Sequence, residues 1–249
     1  MHIRKDNPMT SLTRFKNTYF SDISSIVFFV CGMLMLCSEI WKQFTLTFAV
    51  GDGSYIWWYF PFQLCSIPMY ILLIYPWLRK RTARLTLLAF LMCYCLLGGI
   101  AVFADTSGLH YPLKALTAHS YLWHFLLIIL GITSGIVYIR LLRSNEKRTL
   151  FSRTLKNAFP LRPFIYSTLL YLACCLIAEL LNLSLDRSGT INMFYINPDY
   201  RMQQVVFRDL LPLLGNTGVI LLYIASTILG AFILFLIWKL VFRLSSLRH

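Results

Sequence analysis

Charge is the scarcest property of this chain. Of its 249 residues only 13% are Asp, Glu, Lys or Arg, about half the share of an ordinary globular domain. So few charges cannot cover a water-soluble surface. Acidic residues are the rarer sign, ten against 23 basic ones, for a net charge of +13. Metal-ligand spacing is missing too. No Cys-x-x-Cys pair and no His-Glu-x-x-His run occurs, so no metal and no other cofactor is expected. The seven cysteines, Cys31, Cys37, Cys65, Cys93, Cys95, Cys174 and Cys175, all lie inside apolar runs, which argues against a disulfide framework. No binding module accompanies the positive charge, so nucleic acid is not an expected partner. Internal repeats and low-complexity segments are lacking. No small-residue cleavage site follows the first apolar run, which is therefore read as a retained span.

What fills the chain instead is apolar. Hydrophobic residues make up 58% of it and the mean hydropathy is +0.66. A helix needs about 20 mostly apolar residues to cross the hydrocarbon core. Six runs qualify, at about 22–42, 56–78, 84–104, 117–142, 163–185 and 212–242. The expected fold is an all-α integral membrane protein, a bundle of about six transmembrane helices forming one polytopic domain over 1–249. The expected location is the cell membrane.

Basic residues set the orientation of such a bundle. Of the 23 Lys and Arg residues, only five (Lys42, Lys114, Arg187, Arg201 and Arg208) fall outside the N-terminal tail, the 79–84 turn, the 140–162 loop and the C-terminal tail. Six spans with a cytoplasmic N-terminus put all four basic segments in the cytoplasm, and both chain ends with them. Trp57, Trp58, Tyr59, Tyr75, Trp77 and Trp238 fall near the expected interfaces, as an aromatic belt does. The sizeable outer loop is 186–211. Within it, Asn197-Pro198 reads as an N-cap with proline at the first helical position, which predicts a short interfacial helix over 201–211.

Polar side chains in lipid are costly and by default mark function. Glu39, Gln63, Cys65, Asp105, His119, His124, Glu179, Asn182 and Asn216 all fall in the outer half or at the outer ends of the expected spans. The inner half has almost none. This bias predicts a polar cavity opening outward; hydrogen bonding between helices is the competing explanation. On a 3.6-residue period His124 shares a face with Thr117, Ser120, Tyr121, Gly131 and Gly135. His119 lies about 140° around the helix from His124, so the two are not expected to form one metal site. Cys65 sits between Pro61 and Pro68, where lost backbone donors predict a kink. The helical rise puts Cys65 on the order of 13 Å, and His124 about 10 Å, below the start of their spans. A thiol and an imidazole at one depth make a candidate nucleophile and base.

Several of these residues carry a resemblance. The segment Phe60-Pro61-Phe62-Gln63-Leu64-Cys65-Ser66 is similar to the Leu-Pro-Leu-(His/Gln)-Leu-Cys segment of the YwaF-like bacterial integral membrane proteins. Their eukaryotic relatives are the transmembrane protein 164 acyltransferase group. Gly98-Gly99, Asp105, Tyr111-Pro112 and His124 follow the order of that family's glycine, aspartate, proline and histidine. Asn192-Met193-Phe194-Tyr195 and Pro198 resemble its Asn-Tyr-Met-Tyr segment ahead of a proline, and Glu39 falls where an acidic residue often precedes the cysteine span. The resemblance covers about residues 35–200. Met193-Phe194 departs from the pattern, and His119 competes with His124 for the histidine position.

The resemblance implies lipid acyl transfer through a cysteine thioester. Cys65 would be the nucleophile and His124 the base. Glu39 or Glu179 would orient the imidazole, and Asn192 and Gln63 would donate to the oxyanion; Asp105, His119 and Tyr195 complete the set of supporting residues. Membrane lipids, including an acylated lipid substrate, are the expected partners. The same outer cavity also suits a non-catalytic binder, either a small-molecule transporter or a transporter's substrate-binding subunit. Neither an acyl donor and acceptor nor an oligomeric state is named by the sequence.

Overall fold

The computed structural model describes residues 23–146 and 159–246. The basic N-terminal tail, most of the 140–162 loop and Arg248 lie outside the described residues. Every regular element among those described is helical. Seven α-helices follow in chain order: α1 (Ile23–Thr45), α2 (Ile67–Ile74), α3 (Arg81–Phe90), α4 (Leu96–Ala101), α5 (Lys114–Glu146), α6 (Arg162–Leu185) and α7 (Leu211–Ser246). A π-helical segment, Leu91–Cys95, joins α3 and α4 into one rod, and a second, Leu46–Val50, extends α1.

Five stretches are long and apolar enough to cross a membrane: Ile23–Val50, Arg81–Ala104, Lys114–Ser144, Arg162–Ser188 and Arg208–Ser245. They make the chain a multi-pass membrane protein. Their outward faces carry large bare side chains, among them Leu122, Ile129, Leu176 and Leu229. Such a surface suits acyl chains and not water.

The expected continuous helix over 56–78 does not form. Only Ile67–Trp77, the C-terminal part of that run, forms a longer helix, about 16 Å at 1.5 Å per residue, roughly half the hydrocarbon thickness. Upstream lie a short 3₁₀ turn, Trp57–Tyr59, and then irregular chain to Ser66. Proline is the cause. Pro61 has no amide to give a helix, and Pro68 is tolerated because it falls in the first turn of α2, where amides have no intrahelical acceptor.

The α3–π–α4 rod is the centre of the bundle. Positions 88–95 are all buried, as a helix that is apolar all round must be. Within the bundle α1 packs on α2, α3 on α6, α4 on α5, and both α5 and α7 on the π segment. Lipid tails compete with apolar side chains, so close approach of small residues has to hold membrane helices together. Gly131 shows this. A Cβ there would stand 2.7 Å from Leu96 Cβ. At Gly135 a Cβ would run into the Trp238 ring. The stripe of small residues below His124 therefore faces protein, as expected. Trp238 Nε1 donates to Met92 O at 3.1 Å, a carbonyl of the π segment. Aromatic packing joins the rod to α6, with Tyr94 stacked between Phe90, Tyr171 and Phe164 and its hydroxyl donating to Thr168 Oγ1 at 2.8 Å.

The expected interfacial helix over 201–211 is also absent; a single 3₁₀ turn, Arg208–Leu210, runs into α7. Asn197 does not cap a helix. Its side-chain oxygen accepts from Asp199 N at 3.0 Å and its Nδ2 donates to Ile191 O at 2.8 Å, which closes a turn instead. At the start of α7, Gly215 has φ +66°, a left-handed position that glycine takes without strain. That break turns Asn216 onto the loop, where its Nδ2 donates to Pro198 O and Tyr200 O and its Oδ1 accepts from Met202 N.

Candidate functional site

The irregular chain before Cys65 lacks the regular hydrogen bonds of a helix, which a membrane protein tolerates only where protein or water satisfies the freed groups. Three side chains do so here: Gln43, which donates from Nε2 to Tyr59 O at 2.7 Å, Trp123 and Tyr70. Gln63 in turn reaches the 186–211 loop: its Nε2 donates to Asn192 O at 2.9 Å and its Oε1 accepts from Phe194 N at 2.8 Å. Trp123, on α5, donates from Nε1 to Cys65 O at 3.0 Å. Tyr70 donates its hydroxyl to Pro61 O at 2.8 Å.

The loop segment that Gln63 grips is itself strained. Phe194 and Tyr195 have φ of +57° and +58°, a region that costs bulky residues energy and is kept only when neighbours over-determine it. Asn182 of α6 supplies the second grip. Its Oδ1 accepts from Met193 N at 2.7 Å and its Nδ2 donates to Met193 O. Asn192 closes the turn by accepting from Asn197 N at 3.0 Å. Gln63, expected as an oxyanion donor, thus holds the loop against the broken helix, and Asn192, expected in the same role, uses its side-chain oxygen inside the loop. The segment brings Tyr195 into the electrostatic neighbourhood of Cys65, and burial pushes its phenol up to about 12. Tyr111, in the loop before α5, is likewise raised by burial. Both phenols are therefore protonated donors at neutral pH.

His124 is buried on α5, and its Nδ1 lies 2.8 Å from Ser120 O. A carbonyl cannot donate, so Nδ1 carries the proton and Nε2 the lone pair. Neither expected glutamate makes this bond. Glu39 accepts from Lys42 Nζ at 2.8 Å and from Gln43 Nε2 at 2.7 Å, and Glu179 accepts from Asn182 Nδ2 at 3.3 Å. His119 lies between Trp41 and Trp123, with ring centroids 5.6 Å from each, and its Nε2 is buried without a hydrogen-bond partner. Asp105 caps the Thr106–Leu109 turn by accepting from Ser107 N at 2.9 Å, a bond that holds its carboxyl below the usual carboxylate range.

Contacts therefore join Gln63, Asn192, Tyr195, Asn182 and Glu179 through the loop, and Cys65 and His119 through Trp123, with His124 the next residue along α5. Asp105 stands apart as a cap. Two residues were missed. Trp123 gives no local sign beyond sitting beside His124. Lys42 stands three positions after Glu39, one helical turn on, and that spacing could have signalled the ion pair. Compared with known proteins, the chain matches no family model, no curated protein and no solved structure.

Proposed function

We propose that the chain is a six-crossing protein of the cell membrane, with both ends cytoplasmic, that transfers or hydrolyses the acyl group of a lipid in the outer leaflet. In this reading α2 and the irregular chain above it together make the second crossing. The distribution of basic segments supports the orientation. The Phe60–Ser66 resemblance to the YwaF-like and transmembrane protein 164 groups supports the chemistry.

One observation carries the reading. The backbone of Cys65 is hydrogen-bonded by Trp123, the residue before His124, and His124 is held in the tautomer that leaves Nε2 free to accept a proton. In the proposed reaction His124 takes the Cys65 proton. The thiolate attacks the ester carbonyl, a C–S bond forms and the ester C–O bond breaks. The departing alkoxide recovers the proton from the imidazolium. An acceptor hydroxyl, or water, then gives its proton to the imidazole and attacks the thioester, which releases the thiolate. Tyr195 is a donor suited to the developing oxyanion.

The test uses purified protein in lipid nanodiscs. Cys65→Ala is expected to fold and to lose acyl turnover. Cysteine-directed acylating probes are expected to label Cys65, while fluorophosphonates are not. His124→Gln is expected to lower turnover by on the order of 10²–10⁴, and His119→Gln by far less. Unchanged turnover in Cys65→Ala overturns the reading. The break before α2 also suits a transporter, whose sites often lie at discontinuous helices. Substrate accumulation in vesicles that survives Cys65→Ala would favour that alternative.

A further inference from the structure

Acyl transfer as described leaves one costly feature without a task, the ion pair of Glu39 and Lys42. Their side chains are only 3% and 14% exposed. Withdrawing two charges from water is seldom repaid by their mutual attraction, and apolar residues would hold a helix as well. Lys42 also has donors to spare. An ammonium has three N–H bonds, and Glu39 takes one of them. With α1 and its π extension ending at Val50, Lys42 lies ~12 Å below that end. A lysine at such a depth usually snorkels out to the interface. Here it turns inward, and its neighbour Trp41 is the side chain exposed to lipid.

Geometry places this inward charge beside the broken segment on two sides. Gln43 Nε2 donates both to Glu39 Oε1 and to Tyr59 O, at 2.7 Å each, which ties the ion pair to the chain before Cys65. On the other side Trp41 packs on His119, His119 on Trp123, and Trp123 binds Cys65 O. Lys42 lies within electrostatic reach of Cys65, His119 and His124, and Glu39 of Cys65, His119, Tyr55, Tyr70 and Tyr111. Cys95 of the π segment, Tyr111, Tyr195 and Tyr223 of α7 are likewise within electrostatic reach of Cys65. Of all these groups Lys42 carries the permanent positive charge.

We propose that Lys42 is a positioning residue that sets the electrostatic potential at the Cys65 sulfur, with Glu39 fixing the ammonium in place and tempering its field. Lys42 opposes the cost of a partly buried thiolate and draws negative charge towards it. The proposal rests on the reading of Cys65 as nucleophile.

The experiment measures the potential directly. Full-length protein in nanodiscs is treated with an anionic and a cationic methanethiosulfonate of similar size, and modification of the Cys65 peptide is timed by mass spectrometry. The ratio of anionic to cationic rates is expected to fall about tenfold in Lys42→Met, the effect of roughly one local charge at partial screening. Lys42→Arg is expected to restore the ratio, and Glu39→Gln to raise it. Equal ratios across the four proteins overturn the proposal. If Lys42→Met fails to fold, Glu39→Gln against the parent decides, and a ratio that does not rise overturns it. Labelling at Cys65 without any charge dependence removes the role of Lys42 and leaves acyl transfer standing. Loss of acyl transfer as a reading is decided separately, by turnover in Cys65→Ala.

Discussion

Gln63 and Phe194 are 131 positions apart in sequence, yet Gln63 Oε1 accepts the Phe194 amide at 2.8 Å. With the donation from Gln63 Nε2 to Asn192 O, this one side chain fastens the 186–211 loop onto the chain just before Cys65. Phe194 and Tyr195 sit in the left-handed region, so the bond also resists a backbone that would otherwise relax.

Replacing Gln63 tests the clamp. Gln63→Met keeps the length and removes both bonds, leaving the Phe194 amide unpaired at about 1–3 kcal/mol and Asn192 O with only the long bond from Tyr195 N. A lower unfolding midpoint in detergent is expected. Gln63→Glu keeps the acceptor for Phe194 N and loses only the donor, so its loss should be the smaller of the two. Equal midpoints in all three proteins would show that the clamp contributes nothing.

Asn182 grips the same turn from α6, through Met193 N and O. Residues that share one strained segment do not act independently. A double-mutant cycle between Gln63→Met and Asn182→Ala is expected to give a coupling energy of about 0.5–3 kcal/mol, read from equilibrium unfolding in mild detergent. Strict additivity would mean that the two grips hold separate structures.

Orientation can be read by single-cysteine labelling in a background lacking the other reactive thiols. Lys80→Cys is expected to react with a membrane-impermeant maleimide only after permeabilisation, because the proposed threading puts the basic 79–84 turn in the cytoplasm. Thr190→Cys, in the loop that Gln63 fastens, is expected to react in intact cells. The opposite pattern would invert the proposed threading.

Much of this architecture was legible because membrane spans are long and compositionally plain. The five long helices follow from runs of apolar residues that water would not tolerate. The interruption near Cys65 was signalled by Pro61 and Pro68, but its extent was not. A proline tells where an amide is missing; where the helix resumes depends on partners such as Gln63 with Asn192 and Trp123 with Cys65. Those partners are distant in sequence. Asn197-Pro198 misled for a related reason. The pair fits a helix start, but Asn197 spends its side chain on Asp199 N and Ile191 O, and Asn216 captures the following carbonyls from α7. Glu39 was recognisable as an expensive buried group. Its commitment to Lys42 and Gln43 on its own helix, rather than to an imidazole, required coordinates.

The most direct measurement is a search for the acyl-enzyme itself. Protein in nanodiscs containing a phospholipid with one isotope-labelled acyl chain is digested and analysed by mass spectrometry. The account predicts an acyl adduct on the Cys65 peptide that neutral hydroxylamine releases, and no such adduct in Cys65→Ser. Acyl turnover with no adduct at Cys65, or turnover that persists undiminished in Cys65→Ser, would contradict it.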